Sequence, residues 1–214
     1  MNADDVARFL GSHPELFEQH PELLESIQVP HPYGGRAISL AERQILGMRE
    51  KARLLESRLG DMIRFAEEND AIGEKVHRLS VALAGARNFP ALTQALYFHL
   101  REDFAVPHIA LRIWGTGVPV DFIEAAPVTA AQREQADAMG APSCCAALDS
   151  PFTAWFSEAA ERLRSLALVP LGQTSAFGLL ALGSEDPQRF YPEMGNLFLR
   201  RIGELTAAGL LARL

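Results

Sequence analysis

The chain has 214 residues, of which 48% are hydrophobic, enough for a buried core, and its formal net charge of −7 argues against a general nucleic-acid or anionic-membrane binder, which needs a basic surface. Its two cysteines, Cys144 and Cys145, are adjacent, so they cannot form a disulfide framework, and they fit a reducing compartment. The acidic start lacks the apolar stretch of a secretory signal, and no run reaches the roughly 18 apolar residues of a membrane span, so we expect a cytoplasmic protein.

Residues 1–36 are predicted to form a short N-terminal segment of brief helices. The motif His-Pro-Glu-Leu occurs at 13–16 and again at 20–23. Proline fits the first turn of a helix, where its missing N–H is not needed, so the two motifs predict two similar helix starts. The run Val-Pro-His-Pro-Tyr-Gly-Gly at 29–35 ends the segment, because proline and glycine interrupt a helix.

Residues 37–76 are predicted to form one long helix that dimerises. Apolar residues repeat at heptad spacing from Ile38 to Leu83 with no proline between them, and Ser39 with Glu42 forms a Ser-x-x-Glu capping box at the start. Such spacing is typical of a coiled coil or another long paired helix. We therefore expect a homodimer whose seam is formed by Ile45, Met48, Ala52, Leu55, Leu59 and Met62.

This seam weakens near Asn69 and Gly73. Because a glycine inside a helix costs about 1 kcal/mol relative to alanine, we expect the helix to bend or end there, next to the following domain. The basic residues between Arg43 and Arg64 alternate with acidic ones. This alternation is typical of a solvated helix face and argues against nucleic-acid binding.

Residues 77–214 are predicted to form one α+β domain. Its first half contains, in order, helices at 77–87 and 90–102, a strand at 106–114, a partner strand at 119–124 and a helix at 129–139. In the strand at 106–114, apolar residues at 109, 111 and 113 alternate with Ala110, Arg112 and Trp114. This alternation places the two sets on opposite faces of a sheet.

The second half of the domain is predicted to end in a hairpin and a helix. A short strand at 143–148 and an irregular helical stretch at 151–163 come first, followed by strands at 166–171 and 177–182 around the turn 172–175. Proline favours the first turn of a helix, so the last helix is predicted to start at Pro192.

This order of elements resembles that of a GAF domain. The motif Phe-Gly-Leu-Leu-Ala-Leu-Gly-Ser at 177–184, followed by Arg189-Phe190 and Pro192, is similar to the closing strand, turn and helix of that family. The resemblance implies a central antiparallel sheet flanked by helices, here preceded by the long helix and the short N-terminal helices. GAF-like domains variously bind cyclic nucleotides, chromophores, amino acids or metabolites, or only dimerise, and a fold alone does not fix a function.

The N-terminal part carries a narrower resemblance that extends to nearly the whole chain. Its ordered motifs are similar to those of the uncharacterised bacterial family catalogued as domain of unknown function 484. That family implies a GAF-like fold and no established biochemical activity. The motifs are Phe9-Leu10, His13-Pro14-Glu15-Leu16-Phe17, His20-Pro21-Glu22-Leu23-Leu24, Val29-Pro30-His31 and Ser39-Leu40-Ala41-Glu42-Arg43-Gln44.

The signatures of specialised GAF domains do not occur in the sequence. The Asn-Lys-x-x-x-Phe-x-x-x-Asp-Glu signature of the cyclic-nucleotide type is missing, and Cys144-Cys145 is followed by two alanines where a bilin-type domain has histidine. The cysteines have no third ligand nearby, and His13, His20 and His31 each precede a proline at a helix entry. We therefore predict no metal and no covalent chromophore, and the ligand remains unknown.

No catalytic residue is nominated, because neither a Gly-x-Ser-x-Gly elbow nor a phosphate-binding loop occurs. We place a ligand pocket on the cupped face of the sheet, although the same aromatic residues would also suit an ordinary core. The candidate pocket residues are Arg112, Trp114, Cys145, Trp155, Phe156 and Phe177.

The sequence thus predicts a non-enzymatic GAF-like sensory or regulatory protein that binds a small ligand and relays it through a dimeric helix. Two alternatives remain open. One is a pure interaction and dimerisation scaffold whose pocket is filled by its own side chains. The other is an enzyme with an unrecognised site.

Overall fold

The structure, a computed structural model, describes residues 2–29, 38–115, 121–172 and 174–214. It divides into two compact units, Met1–Glu67 and Glu68–Leu214. The long helix runs through the division, which falls after Glu67. Among the described residues, no helix is both long and apolar enough to cross a membrane.

The first unit begins with three short helices, as the sequence predicts: α1 (Ala3–Ser12), α2 (Glu15–Gln19) and α3 (Glu22–Ser26). Pro14 and Pro21 occupy the N-cap positions of α2 and α3. The short strands β1 (Gln28–Val29) and β2 (Ile38–Ser39) then pair antiparallel. The predicted end of the segment at 30–35 lies outside the described residues.

The long helix α4 (Leu40–Gly85) starts at the predicted capping box. The Ser39 Oγ accepts a hydrogen bond from the Glu42 N–H at 3.2 Å, and a Glu42 carboxylate oxygen accepts one from the Ser39 N–H at 3.0 Å. Of the two outcomes predicted near Asn69 and Gly73, a bend or an end of the helix, the end is wrong, because α4 continues to Gly85. Its last turns bury Val76, Leu79 and Leu83, and this burial outweighs the low helix propensity of one glycine.

The second unit is a four-stranded antiparallel sheet with helices, which confirms the predicted α+β, GAF-like class. The strands stand in the order β3-β6-β5-β4. The elements are α5 (Phe89–Glu102), β3 (His108–Ile113), α6 (Ala130–Ala138), β4 (Ser143–Ala146), β5 (Ser165–Leu171), β6 (Gly178–Ser184) and α7 (Leu197–Leu211). A 3-10 helix spans Ile123–Ala125, another spans Ala147–Asp149, and a third, with a kink at Ser157, spans Pro151–Ala159.

The strand register places two different apolar surfaces on the sheet. Leu111 of β3 pairs with Leu180 of β6, which pairs with Val169 of β5, and these residues belong to one core cluster. The neighbouring pair in the register, Ala110 of β3 with Ala181 of β6, points to the opposite side of the sheet and belongs to a second core cluster. We call the first surface the helix face and the second the aromatic face.

The helix face is covered by the end of α4 together with α5 and α7. Leu79, Leu92 and Leu210, one from each helix, are fully buried in its cluster. Two close approaches bring α7 onto its neighbours: a Cβ added at Gly203 would stand 2.5 Å from Val169 Cγ1, and one added at Gly209 would stand 2.9 Å from Leu92 Cδ1. Glycine lets α7 lie closer to β5 at position 203, and closer to α5 at position 209, than any other residue would.

The C-terminal end of α4 is capped by a side chain from the end of the chain. The Arg213 guanidinium donates from Nε to the Ala86 carbonyl at 2.8 Å and from Nη2 to those of Leu83 and Ala84 at 3.0 and 3.1 Å. The last carbonyls of a helix have no partner within it and carry partial negative charge. A cation at this point therefore satisfies the end of α4 and ties it to α7.

The predicted strand at 119–124 is wrong over the residues that the structure describes. Residues 119–120 lie outside them, and Ile123–Ala125 forms a 3-10 helix. The apolar Ile123 is 67% exposed, whereas the charged Glu124 is buried. The side-chain pattern is thus the reverse of what hydrophobic alternation predicts, because Glu124 accepts a hydrogen bond from Tyr97.

The prediction that the last helix starts at Pro192 is also wrong. Pro192 and Glu193 form a turn, closed by the Met194 N–H donating to the Tyr191 carbonyl at 2.9 Å, and α7 begins only at Leu197. Gly195 and Asn196 separate the proline from the helix, so the proline signal marks a turn here. The remaining predicted elements, including the capped helix after Thr129 and the β5–β6 hairpin, are confirmed within a few residues at each end.

Replacing Arg213 should destabilise the second unit. Arg213→Met removes charge-assisted hydrogen bonds to the end of α4, so we expect a loss of about 1–3 kcal/mol in the free energy of unfolding. Urea titrations followed by the fluorescence of Trp114 and Trp155, both in this unit, measure it. Arg200→Met, at an exposed arginine of α7, is the control, and equal losses in the two variants would contradict the capping role.

Filling the close approach at Gly203 should also be costly. Gly203→Val places side-chain atoms on Val169 and should lower the free energy of unfolding by about 1–3 kcal/mol. Gly60→Val is the matched helical control, since a Cβ there meets nothing within 4 Å. Thermal unfolding by circular dichroism compares the two variants. A Gly203→Val protein as stable as Gly60→Val would show that α7 packs less closely than described.

Candidate functional site

Five of the six predicted pocket residues lie together on the aromatic face. Trp114, Cys145, Trp155 and Phe156 pack against its core cluster. Arg112 joins them because it shares a face of β3 with Ala110 and Trp114, as the strand alternation predicts. The structure thus brings these five predicted residues together in one region. Their role in binding a ligand stays a prediction.

Arg112 lies inside the aromatic face and is held there by its own chain. Its side chain is buried, its Nη1 donates to the Leu111 carbonyl at 2.9 Å, and its guanidinium carbon lies 5.6 Å from the ring centroid of Trp155. A guanidinium at this distance from an indole ring is attracted to it. Burial lowers the pKa of Arg112, and the nearby Tyr97 and Glu124 oppose that effect.

The segment Pro151–Ala159, which covers the aromatic face, is held in place by an aromatic contact and a hydrogen bond to its backbone. Phe152 is fully buried and meets the Trp155 ring edge-on, with 5.0 Å between the ring centroids. Gln132 of α6 donates from Nε2 to the Pro151 carbonyl at 3.0 Å, which fixes the start of the segment. The middle of this face is therefore filled by side chains of the chain itself.

The sixth predicted residue, Phe177, does not join the others. It packs against the core cluster of the helix face. Its backbone still pairs with the neighbouring strands, since the Phe177 N–H donates to the Leu171 carbonyl at 2.9 Å and its carbonyl accepts from the Trp114 N–H at 2.8 Å. Phe177 stands one residue before β6 begins, where strict alternation of side chains no longer applies.

A buried acid beside a phenol at the edge of β3 was not anticipated from the sequence. The Tyr97 hydroxyl donates to the Glu124 carboxylate at 2.6 Å, and Glu124 is 4% exposed. Burial, followed by this hydrogen bond, raises the pKa of the Tyr97 phenol well above its usual value. No local motif links positions 97 and 124, so nothing in the sequence signals the pair.

These ionisable groups bond to one another and to the backbone. A phenol with a raised pKa is a poor proton donor near neutral pH. Within the described residues, no three metal-ligating side chains gather in a group that could hold an ion. The bond between Tyr97 and Glu124 joins α5 to the 3-10 helix at Ile123–Ala125.

The six predicted seam residues of α4 lie in the first unit and are exposed. Met48, Leu59 and Met62 are 72%, 58% and 67% exposed, and Ile45 and Leu55 are also open to solvent. Ala52 is exposed as well. Such a row of large apolar side chains on one helix is unusual for a surface that meets only water.

The comparisons with known proteins agree with this architecture. The sequence profile of the family described as "Protein of unknown function, DUF484" matches residues 1–213. A crystal structure of the A. aeolicus Nlh2 GAF domain in an inactive state superposes with a TM-score of 0.51 at 14% identity, and the match covers 67% of this chain and 98% of that one. No functionally curated protein matches the chain.

The cysteine pair should be slow to react in the folded protein. Burial, with a smaller effect of Cys145, raises the pKa of Cys144 to about 11, and burial also raises the pKa of Cys145. Because the thiolate is the reactive form, iodoacetamide at pH 8 should alkylate native Cys144 at least about tenfold more slowly than Cys144 of the urea-unfolded protein, and native Cys145 should also react more slowly than unfolded Cys145. The rate for Cys144 should keep rising with pH up to about 11. Equal native and unfolded rates at pH 8 would instead mark the pair as reactive.

Proposed function

This chain belongs to the DUF484 family, and we propose that it is a non-enzymatic, intracellular regulatory protein that works as a homodimer joined through α4. Its GAF-like domain supplies the regulated part and the exposed half of α4 supplies the contact between subunits. The proposal does not require the small ligand that the sequence analysis predicts for the aromatic face.

One observation carries the proposal: α4 presents apolar stripes in two different environments. Val76, Leu79 and Leu83 are buried in the core of the second unit. The stripe from Ile45 to Met62 belongs to the same helix but is exposed to solvent. A change in the packing of the domain core would therefore act directly on the helix that carries the exposed stripe.

A second copy of the chain is the partner that this stripe fits best. A heptad repeat is self-complementary, since its a and d positions interlock with the same positions of an identical helix. Burying a leucine side chain contributes about 1.5–3 kcal/mol. Seam residues from two chains would together supply enough to hold a dimer at micromolar concentration.

The filled state of the aromatic face supports association over ligand binding at that face. A ligand reaching Arg112 would have to displace Trp155 from its guanidinium and replace the bond to the Leu111 carbonyl. Phe152, which is fully buried, occupies the region beneath Trp155 that a ligand would need.

Light scattering of the intact protein tests the dimer. The wild type should elute at twice the chain mass of 23.4 kDa. Leu59→Glu places a charge in the seam, removes apolar burial from both subunits, and should raise the dimer dissociation constant at least about 100-fold. Ser57→Glu, which adds the same charge more than half a helical turn away, should leave the dimer intact.

Two results would contradict the dimer. One is a wild type that stays monomeric at high micromolar concentration. The other is a Leu59→Glu protein that dimerises as tightly as Ser57→Glu, which would place the contact elsewhere on the molecule. Circular dichroism of the three proteins checks that each is folded.

A further inference from the structure

A cavity lies on the helix face of the sheet, away from the Arg112 and Trp155 side chains of the aromatic face. It has a volume of about 320 Å³, is partly open to solvent, and is lined by α4, by the end of α5 with the residues after it, by β6, and by α7 with the segment before it. Cavities of this size hold small organic ligands. Its walls are mostly apolar, with Ile72, Leu100, Val106, Leu182, Met194 and Phe198 among the lining side chains.

Two cations line this apolar cavity, Lys75 and Arg189. Within 68–115, 121–172 and 174–214, neither side chain forms a salt bridge. Arg189 donates from Nη2 to the Phe104 carbonyl and its guanidinium carbon lies 5.5 Å from the Phe190 ring centroid, but its Nε is buried with no hydrogen-bond acceptor.

An anion would complement the two cations of this cavity. A buried donor without an acceptor and a cation beside apolar walls both destabilise a folded protein. A carboxylate in the cavity would supply a countercharge to both Lys75 and Arg189, because a carboxylate fits the planar guanidinium well. The remaining walls suit a hydrocarbon chain, which gains from leaving water.

We propose that this cavity binds an amphipathic monocarboxylate, with its carboxylate between Lys75 and Arg189 and its hydrocarbon part along Ile72, Met194 and Phe198. Ile72 and Lys75 belong to α4, so the bound molecule would touch the helix that carries the exposed stripe. The inference does not depend on the homodimer, because every residue named lies in the second unit.

Nuclear magnetic resonance of methionine methyl groups tests the site in the full-length protein, with decanoate as the probe. Met194 lines this cavity, whereas Met139 lines a separate one of about 570 Å³ between α6 and α7. Assignments come from Met194→Leu and Met139→Leu. Decanoate should shift the Met194 methyl signal saturably and leave that of Met139 in place.

Changing the charge of the probe, or of the two cationic side chains, distinguishes a carboxylate site from a surface that binds any apolar chain. Decanol and decyltrimethylammonium, which have the same chain with no charge or a positive one, should bind at least about tenfold more weakly than decanoate, as loss of a charge-assisted hydrogen bond predicts. Lys75→Met and Arg189→Met should weaken decanoate binding by a similar factor. Lys51→Met, the matched change at the other lysine of the chain, should bind decanoate like the wild type.

Three results would overturn the proposal. They are the absence of a saturable Met194 shift, equal binding of decanoate and decanol, and a folded Lys75→Met protein that binds decanoate like the wild type. Lys75 makes no hydrogen bond that the fold depends on, so this variant keeps the test valid if Arg189→Met fails to fold. None of these results bears on the dimer, which is measured separately by light scattering.

Discussion

The bond between Arg213 and the last carbonyls of α4 is the contact on which the rest of the second unit depends. It satisfies the helix end at Leu83, Ala84 and Ala86 and joins it to the C-terminus of α7. Arg213 thus joins the C-terminal ends of α4 and α7. α7 also lies so close to Val169 of the sheet that position 203 requires glycine. The same helix α4 carries an exposed apolar stripe toward its N-terminus, so the core of the second unit and the proposed dimer contact share one helix.

The sequence predicted those parts of the fold that are decided by local chemistry. The capping box at Ser39 and the side-chain alternation in β3 are confirmed because each depends on neighbours close in the chain. The 3-10 helix at Ile123–Ala125 was missed because a bond from the distant Tyr97 draws Glu124 inward. The capping of α4 by Arg213 was missed for the same reason, since 127 residues separate Arg213 from Ala86.

The candidate sites were also predictable where they depend on local sequence patterns, and not where they depend on residues far apart in the chain. Strand alternation and a compact covering segment brought five pocket residues to the aromatic face, whereas Phe177, just outside a strand, packs on the other face. The cavity beside Lys75 and Arg189 could not be predicted, because its walls come from four elements that are far apart in sequence. Sequence spacing also cannot show that a donor such as Arg189 Nε is buried without an acceptor.

The central claim is that α4 is stabilised by its own domain at one end and by a second chain at the other. Hydrogen exchange along α4, measured at several protein concentrations, tests it most directly. Amides of 76–85 should be equally protected at every concentration, because Val76 and Leu83 are buried within the chain, whereas protection of 45–62 should rise with concentration as dimers form. Protection of 45–62 that does not change with concentration would contradict the account.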